Sequence, residues 1–245
     1  MKQKLAALPR CAQEGVCVNH SCVMMSGSNL ESRSSRFLVA GFAAASAALL
    51  LFAWLANEVL EGATLRFDNG VRDSIHSWAS PALTAVMRGI TQLGSPAFLI
   101  LVSVVLIWRL AQTRRKRAAI LLTVGAIGAE LLNLLLKELF HRQRPDAFFG
   151  YAEPLGYSFP SGHSISSCCF YGLAAAIVTT RVRSRAGKAL VWAGAALVVG
   201  LIGFSRIYLG VHYPSDVVAG YAAAIVWVAA LRAAHGLWLR RRRLS

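Results

Sequence analysis

The sequence predicts an all-α, polytopic membrane protein: a six-transmembrane-helix bundle with short interfacial helices between the first and second spans. Three observations predict it. Hydrophobic residues fill 56% of the 245 positions and charged residues only 15%, with a mean hydropathy of +0.52. That balance suits membrane helices and not a soluble domain. The apolar residues also gather into six runs of roughly span length, and the cations cluster between the runs.

The first run, Phe37 to Ala56, is uninterrupted. It is longer than a signal-peptide core and far from residue 1, so it reads as a retained anchor. The second is Pro96 to Gln112, with Arg109 placed to snorkel. The third is Ala118 to Leu136, the fourth Ser164 to Thr180 and the fifth Lys188 to Phe204. The sixth begins at Val217 and passes Leu231. Trp54, Trp108, Trp192 and Trp238 fall near run ends, where an amphipathic indole is favoured. Between the first two runs, Leu65, Val71, Ile75, Trp78, Leu83 and Val86 recur at roughly helical spacing among polar residues. This segment predicts one or two short helices on the outer membrane face. They form either part of a lipid entrance or a packing lid without substrate contact.

The net charge of +15 raises nucleic acid as a partner. Its placement excludes that, because no polar domain carries basic residues interleaved with aromatics. With a cytoplasmic N-terminus, 18 of the 26 Lys and Arg residues lie inside and seven outside, with Arg109 within a span. The seven are Arg66, Arg72, Arg88, Lys137, Arg142, Arg144 and Arg206. Such asymmetry fixes orientation, and an even number of spans returns the basic C-terminus to the same side. The predicted organisation is a disordered cytoplasmic tail over 1–34, a membrane domain over 35–239 and a basic cytoplasmic end over 240–245.

Three outer segments converge on one chemistry. Lys137 ends the third span, and Arg144 stands seven residues on, two turns along if the helix continues; Pro145 then helps end it. Two cations facing one way make a phosphate clamp, and arginine can bind two oxygens at once. Pro160-Ser161-Gly162-His163 precedes the fourth span. Glycine admits close backbone approach, a helix N-terminus favours an anion, and His163 stands there as a proton donor. Arg206 ends the fifth span, and Asp216 opens the sixth, four residues beyond His212. Asp216 can thus reach one ring nitrogen of His212, fix its tautomer and leave the other nitrogen free to attack.

These three segments, in this order and spacing, resemble the signature of the type 2 phosphatidic acid phosphatase superfamily (lipid phosphate phosphatases). The resemblance covers about Phe37 to Leu237 with no departure at a signature position. It implies His212 as the nucleophile on phosphorus and Asp216 as its orienter. His163 would protonate the leaving oxygen and then help activate water. Lys137, Arg144, Arg206, Ser161 and the Gly162 N–H would hold the phosphate. It implies no cofactor and no metal, which agrees with the lack of an outer carboxylate cluster suited to Mg²⁺. Three cations and a helix N-terminus supply the charge neutralisation and positioning that phosphoryl transfer requires. The implied partner is a lipid phosphate or pyrophosphate: undecaprenyl pyrophosphate, phosphatidic acid, phosphatidylglycerol phosphate and lipid A phosphate all fit. An isoprenoid pyrophosphate stands first on family breadth. The implied location is a bacterial inner membrane with the site on the periplasmic face.

Other readings stand beside this one. A phosphotransferase would share the phospho-histidine and differ only in its acceptor. Vanadium haloperoxidases share the three segments but are soluble. A transporter or scaffold has no need of His163, His212 and Asp216 together, and no matched pair of interrupted helices marks a transporter.

The remaining polar residues carry weaker readings. Singly, Lys137 and Arg206 would be snorkelling cations and Asp216 a helix-start residue; the spacing joins them. His141 and Arg142, in the first segment but outside the signature, read as solvated loop residues ahead of the alternative, contact with a substrate head group. Glu130 and Asn133 lie within the third span, with Glu130 on the face of Lys137 and structural in role. His76 and His235 carry no motif, and Cys168 and Cys169 read as packing. Cys11, Cys17, Cys22 and His20 fit no standard zinc spacing. The tail is either disordered or, if translation starts at Met24 or Met25, absent.

Overall fold

A computed structural model describes residues 27–151 and 156–244. Among them are eight helices: α1 (Gly27–Leu60), α2 (Leu65–His76), α3 (Pro81–Gln92), α4 (Pro96–Gln112), α5 (Lys116–Phe140), α6 (Gly162–Thr179), α7 (Arg185–Tyr208) and α8 (Pro214–Leu244). The described residues contain no strand. The chain divides into two units, Met1–Gly41 and Phe42–Ser245, and the helix bundle with its polar end belongs to the second. The N-terminal cysteines and His20 lie outside the described residues.

Five helices are long and apolar enough to cross a membrane: Val39–Leu60, Lys116–Phe140, Gly162–Thr179, Arg185–Tyr208 and Pro214–Trp238. The expected second span is more complex. Helix α4 has 17 residues, about 26 Å at 1.5 Å per residue, short of a hydrocarbon core near 30 Å. It continues α3 across a break of three residues and a 45° bend, and the pair together qualifies as a sixth span, broken or re-entrant. The segment between the first two runs therefore gives two helices, of which only α2 stands apart from a span.

Local chemistry explains the helix starts. Ser80, Ser95 and Ser184 accept backbone N–H groups from Leu83, Phe98 and Gly187 at 3.2, 3.3 and 3.0 Å. Pro81 and Pro96 follow the first two at the helix start, where a missing N–H costs nothing. Helix α6 packs against α5, α7 and α8. Small residues let the helices approach: a Cβ on Gly128 would overlap the Trp227 ring, and the Trp227 indole donates to the Gly125 carbonyl at 3.1 Å. Such close, hydrogen-bonded contacts hold helices together where lipid removes the hydrophobic drive.

Antiparallel succession places the end of α5, the start of α6, the end of α7 and the start of α8 at one end of the bundle. The α4–α5 and α6–α7 turns, with the cations of 114–117 and 181–188, lie at the other. Beneath the first end, Phe52, Phe140 and Phe159 pack ring against ring at 5.0–6.1 Å, and Leu55, Ala56, Val59 and Ala219 complete that core.

Candidate active site

The start of α8 places two of the site residues. Pro214 and Ser215 open the helix, and the Asp216 carboxylate reaches back to the Tyr213 N–H at 2.9 Å, satisfying a donor that the helix end would leave orphaned. The same Oδ2 lies 3.3 Å from His212 Nδ1 and accepts the Ser158 hydroxyl at 2.5 Å. His212 is 2% exposed and Asp216 fully buried. A carboxylate facing Nδ1 holds the proton there and leaves Nε2 with its lone pair. Burial pushes the His212 imidazole down to about 3, against the hydrogen bond and charge of Asp216; the ring is neutral at physiological pH.

Nε2 faces the cations. Arg144 Nη1 stands 3.2 Å from it and also donates to the Val211 carbonyl at 3.0 Å, while its Nε donates to Gly156. Arg144 does not reach this place along a helix. Helix α5 ends at Phe140, and His141 takes a left-handed conformation at φ 48°, so a loop carries Arg144 across to His212. Lys137 remains in the last turn of α5. Arg206, in the last turn of α7, is 1% exposed. Its Nη1 donates to Thr91 Oγ1 of α3 at 2.8 Å, whereas its Nε is buried without a partner. His163 is within electrostatic range of Arg206, His212, Lys137 and Arg144, so the three signature cations and both histidines share one locality.

The start of α6 completes it. Ser161 holds the position from which serine ordinarily caps a helix, yet it makes no capping bond, and its fully buried hydroxyl has no partner. Gly162 follows. A Cβ there would stand 2.9 Å from the Asn133 amide, so glycine is required by close approach. The His163 ring lies over Gly94 in the α3–α4 break, 3.3 Å from where a Cβ would be. An uncapped helix N-terminus, a free hydroxyl and three cations make an anion site.

The structure adds four contributors, three of them unmarked in the sequence and one, Arg142, read there otherwise. Arg142 is not a solvated loop residue. Its side chain is 8% exposed and donates to Asp216 Oδ1 at 2.6 Å and Asp68 Oδ2 at 2.8 Å. Asp68, Thr91 and Ser158 are buried beside it or behind the cations. Asp68 lies on the buried stripe of α2 with Arg72 and Ile75, where a polar residue on an inward face needs a partner. Arg72 also turns inward, donating to the Asp146 and Gly210 carbonyls, and its guanidinium lies 4.8 Å from the Phe148 ring. His141 is exposed beside Tyr157. Glu130 lies 3.4 Å from both Asn133 and Ser166. Among the described residues no group of three or more His, Cys, Asp or Glu could hold a metal ion.

The chain is similar to known proteins. The pattern of the PAP2 superfamily matches residues 118–240. Phosphatidylglycerophosphatase B of Bacillus subtilis (strain 168) is 32% identical over 178 residues, 72% of this chain and 87% of the relative. Decaprenylphosphoryl-5-phosphoribose phosphatase of Mycobacterium tuberculosis is 33% identical over 145 residues, 58% of this chain and 75% of the relative. The crystal structure of a transmembrane PAP2 type phosphatidylglycerolphosphate phosphatase from Bacillus subtilis superposes with a TM-score of 0.73 at 29% identity, covering 78% of this chain and 96% of that one. The chain belongs to the PAP2 superfamily and is a multi-pass membrane phosphatase.

Proposed function

We propose that this enzyme hydrolyses a lipid phosphate or pyrophosphate through a phospho-histidine on His212, without a metal ion. One observation carries the reading. The His212 ring is anchored through Nδ1 by Asp216, and its Nε2 points at a guanidinium, beside an unpartnered Ser161 hydroxyl. Lys137, Arg144, Arg206, Ser161 and the α6 N-terminus receive the phosphate oxygens. The Nε2 lone pair forms the P–N bond to the terminal phosphorus as the P–O bond from that phosphorus to the lipid, or to the lipid's inner phosphate, breaks. His163 protonates the departing oxygen. It then takes a proton from water, whose oxygen attacks phosphorus, breaks the P–N bond and releases inorganic phosphate. The neutral ring of His212 is the form that attacks. The charge that a metal would otherwise balance is met by side chains and helix N–H groups.

The basic turns at the other end of the bundle favour the cytoplasm, which supports a site that faces the periplasm from an inner membrane. Phosphatidylglycerol phosphate is the first substrate to test, because the two comparisons of widest coverage are named for it; isoprenoid pyrophosphates come next. The test is phosphate release from a panel of lipid phosphates in detergent with EDTA, with His212→Ala alongside. Metal-independent release that falls by about 10⁴-fold or more in the variant is expected, since the nucleophile has no substitute. Equal release from the variant sinks the mechanism.

A further inference from the structure

We infer that Asp68 of α2 and Arg142 are positioning residues for the nucleophile. They act through Asp216, so that the helix outside the three signature segments sets the orientation of His212. The proposal rests on the reading of His212 as the attacking group.

The contacts form one buried chain. A single guanidinium bridges two carboxylates: Arg142 Nη1 to Asp216 Oδ1 at 2.6 Å, and Nη2 to Asp68 Oδ2 at 2.8 Å. Both carboxylates are fully buried. Nη1 also donates to Ser215 Oγ at 2.7 Å and Nη2 to Thr64 Oγ1 at 3.1 Å. Asp68 in turn accepts the Ser215 N–H at 3.0 Å and the Ser215 hydroxyl at 2.6 Å. A carboxylate from α2 thus caps the first turn of α8, the turn that holds Asp216. The Arg142 guanidinium lies 4.0 Å from the Tyr213 ring centroid, fixing the residue next to His212.

Physical cost makes the arrangement informative. Burying two carboxylates and one guanidinium is expensive, and apolar residues of similar size would pack at lower cost. A network retained in this place sets geometry. Asp216 is held on both oxygens, Oδ2 by Ser158 and the Tyr213 N–H and Oδ1 by Arg142. It therefore has one orientation in which to meet Nδ1. Asp68 takes up part of the Arg142 charge. With Asp68 neutral, Arg142 would draw on Asp216 alone and weaken its hold on the Nδ1 proton.

Removing Arg142 outright leaves two buried like charges and endangers folding, so milder variants make the test. Asp68→Asn keeps shape and removes charge; Arg142→Lys keeps charge and removes the fork. Four quantities are read in the full-length protein: kcat and KM for a lipid phosphate, inhibition by inorganic phosphate, and the ¹⁵N NMR tautomer of His212 in histidine-labelled protein. In Asp68→Asn, kcat should fall about 10- to 100-fold, the range for groups one contact removed from the chemistry. KM and the phosphate inhibition constant should stay within about twofold, because the cation cradle is untouched. The tautomer signal should shift from pure Nδ1–H toward a mixture. Arg142→Lys should follow the same pattern. Unchanged kcat and tautomer in Asp68→Asn overturn the proposal. So does joint loss of kcat and phosphate inhibition, which marks a scaffold and not a positioning device. The tautomer is read without turnover, so it judges the network even where wild-type protein and His212→Ala show the phospho-histidine reading itself to be wrong.

Discussion

Arginine meets opposite fates at the two ends of the bundle. At the α4–α5 and α6–α7 turns, Arg114, Arg181, Arg183 and Arg185 are exposed to solvent. At the other end, Arg72 and Arg206 are buried and the Arg142 side chain is 8% exposed, each with hydrogen-bond acceptors on another segment. The basic turns need only charge, because charge near a span end is what sets orientation. The buried arginines need geometry as well, because an unpaired guanidinium in a low-dielectric site would cost more than it returns. The same residue type writes topology at one end and chemistry at the other; at the basic end Arg115 also reaches a neighbouring segment, donating to Thr180 Oγ1 at 2.7 Å, but it joins no buried network.

The sharpest way to test that division is Arg206→Ala. It removes a buried cation from the proposed phosphate cradle and leaves Thr91 without its partner. Turnover should fall on the order of 10³-fold, as for loss of one donor to developing negative charge. A loss below tenfold would place Arg206 among the orienting cations.

The next effect is one of stability against pH. Burial holds the folded His212 near 3, below its unfolded value near 6.5. The unfolded chain therefore takes up the proton first. The contribution of the neutral ring is whole above pH 6.5 and is lost as pH falls toward 3. Between pH 8 and 5, wild type should lose on the order of 2 kcal/mol more than His212→Asn, from 1.36 kcal/mol per pH unit. Parallel unfolding curves for the two proteins would contradict the buried, neutral ring.

These contrasts also show what could be read from the sequence. The spans and the three signature segments were legible, because hydropathy and spacing are local properties. Lys137, Ser161, Gly162, His163, Arg206 and Asp216 each sit at a helix end, which is marked in sequence, and His212 lies in the short loop between two such ends. The placement of Arg144 was not, because His141 turns left-handed and a loop, not a continued helix, decides where Arg144 goes. Arg142 and Asp68 were missed for a related reason. They are 74 positions apart, and nothing local tells a solvated arginine from one that bridges two carboxylates. Thr91 was missed because α3 read as a surface helix, whereas its union with α4 brings it to Arg206.

A smaller effect is expected at the α6 start. Gly162→Ala adds a methyl group that meets the Asn133 amide at 2.9 Å. Alanine favours a helix over glycine by about 1 kcal/mol, so the helix itself gains. Turnover should nevertheless fall roughly tenfold as the phosphate-facing turn is pushed from Asn133, about the cost of a modest misplacement of a positioned group. Asn133→Ser in the same chain should recover most of it. Failure of the second change to recover activity would mean that the methyl group obstructs the phosphate directly.

The smallest effect is expected where arginine carries charge alone. The double variant Arg181→Ser with Arg183→Ser removes two exposed cations from the α6–α7 turn and none from the site. Turnover and KM should stay within about twofold of wild type, and unfolding stability within roughly 0.5 kcal/mol, as for surface changes that break no cap. Ser184, which does cap α7 through the Gly187 N–H, is left in place for that reason. In the proposed orientation the cations left on the cytoplasmic side still outnumber the others by a wide margin, so orientation should hold; protease accessibility of the C-terminal Arg cluster in inverted vesicles reads it. A fall in turnover comparable to that of Arg206→Ala, with orientation unchanged, would mean that charge at the basic end reaches the site through the bundle. The two ends would then be one electrostatic system.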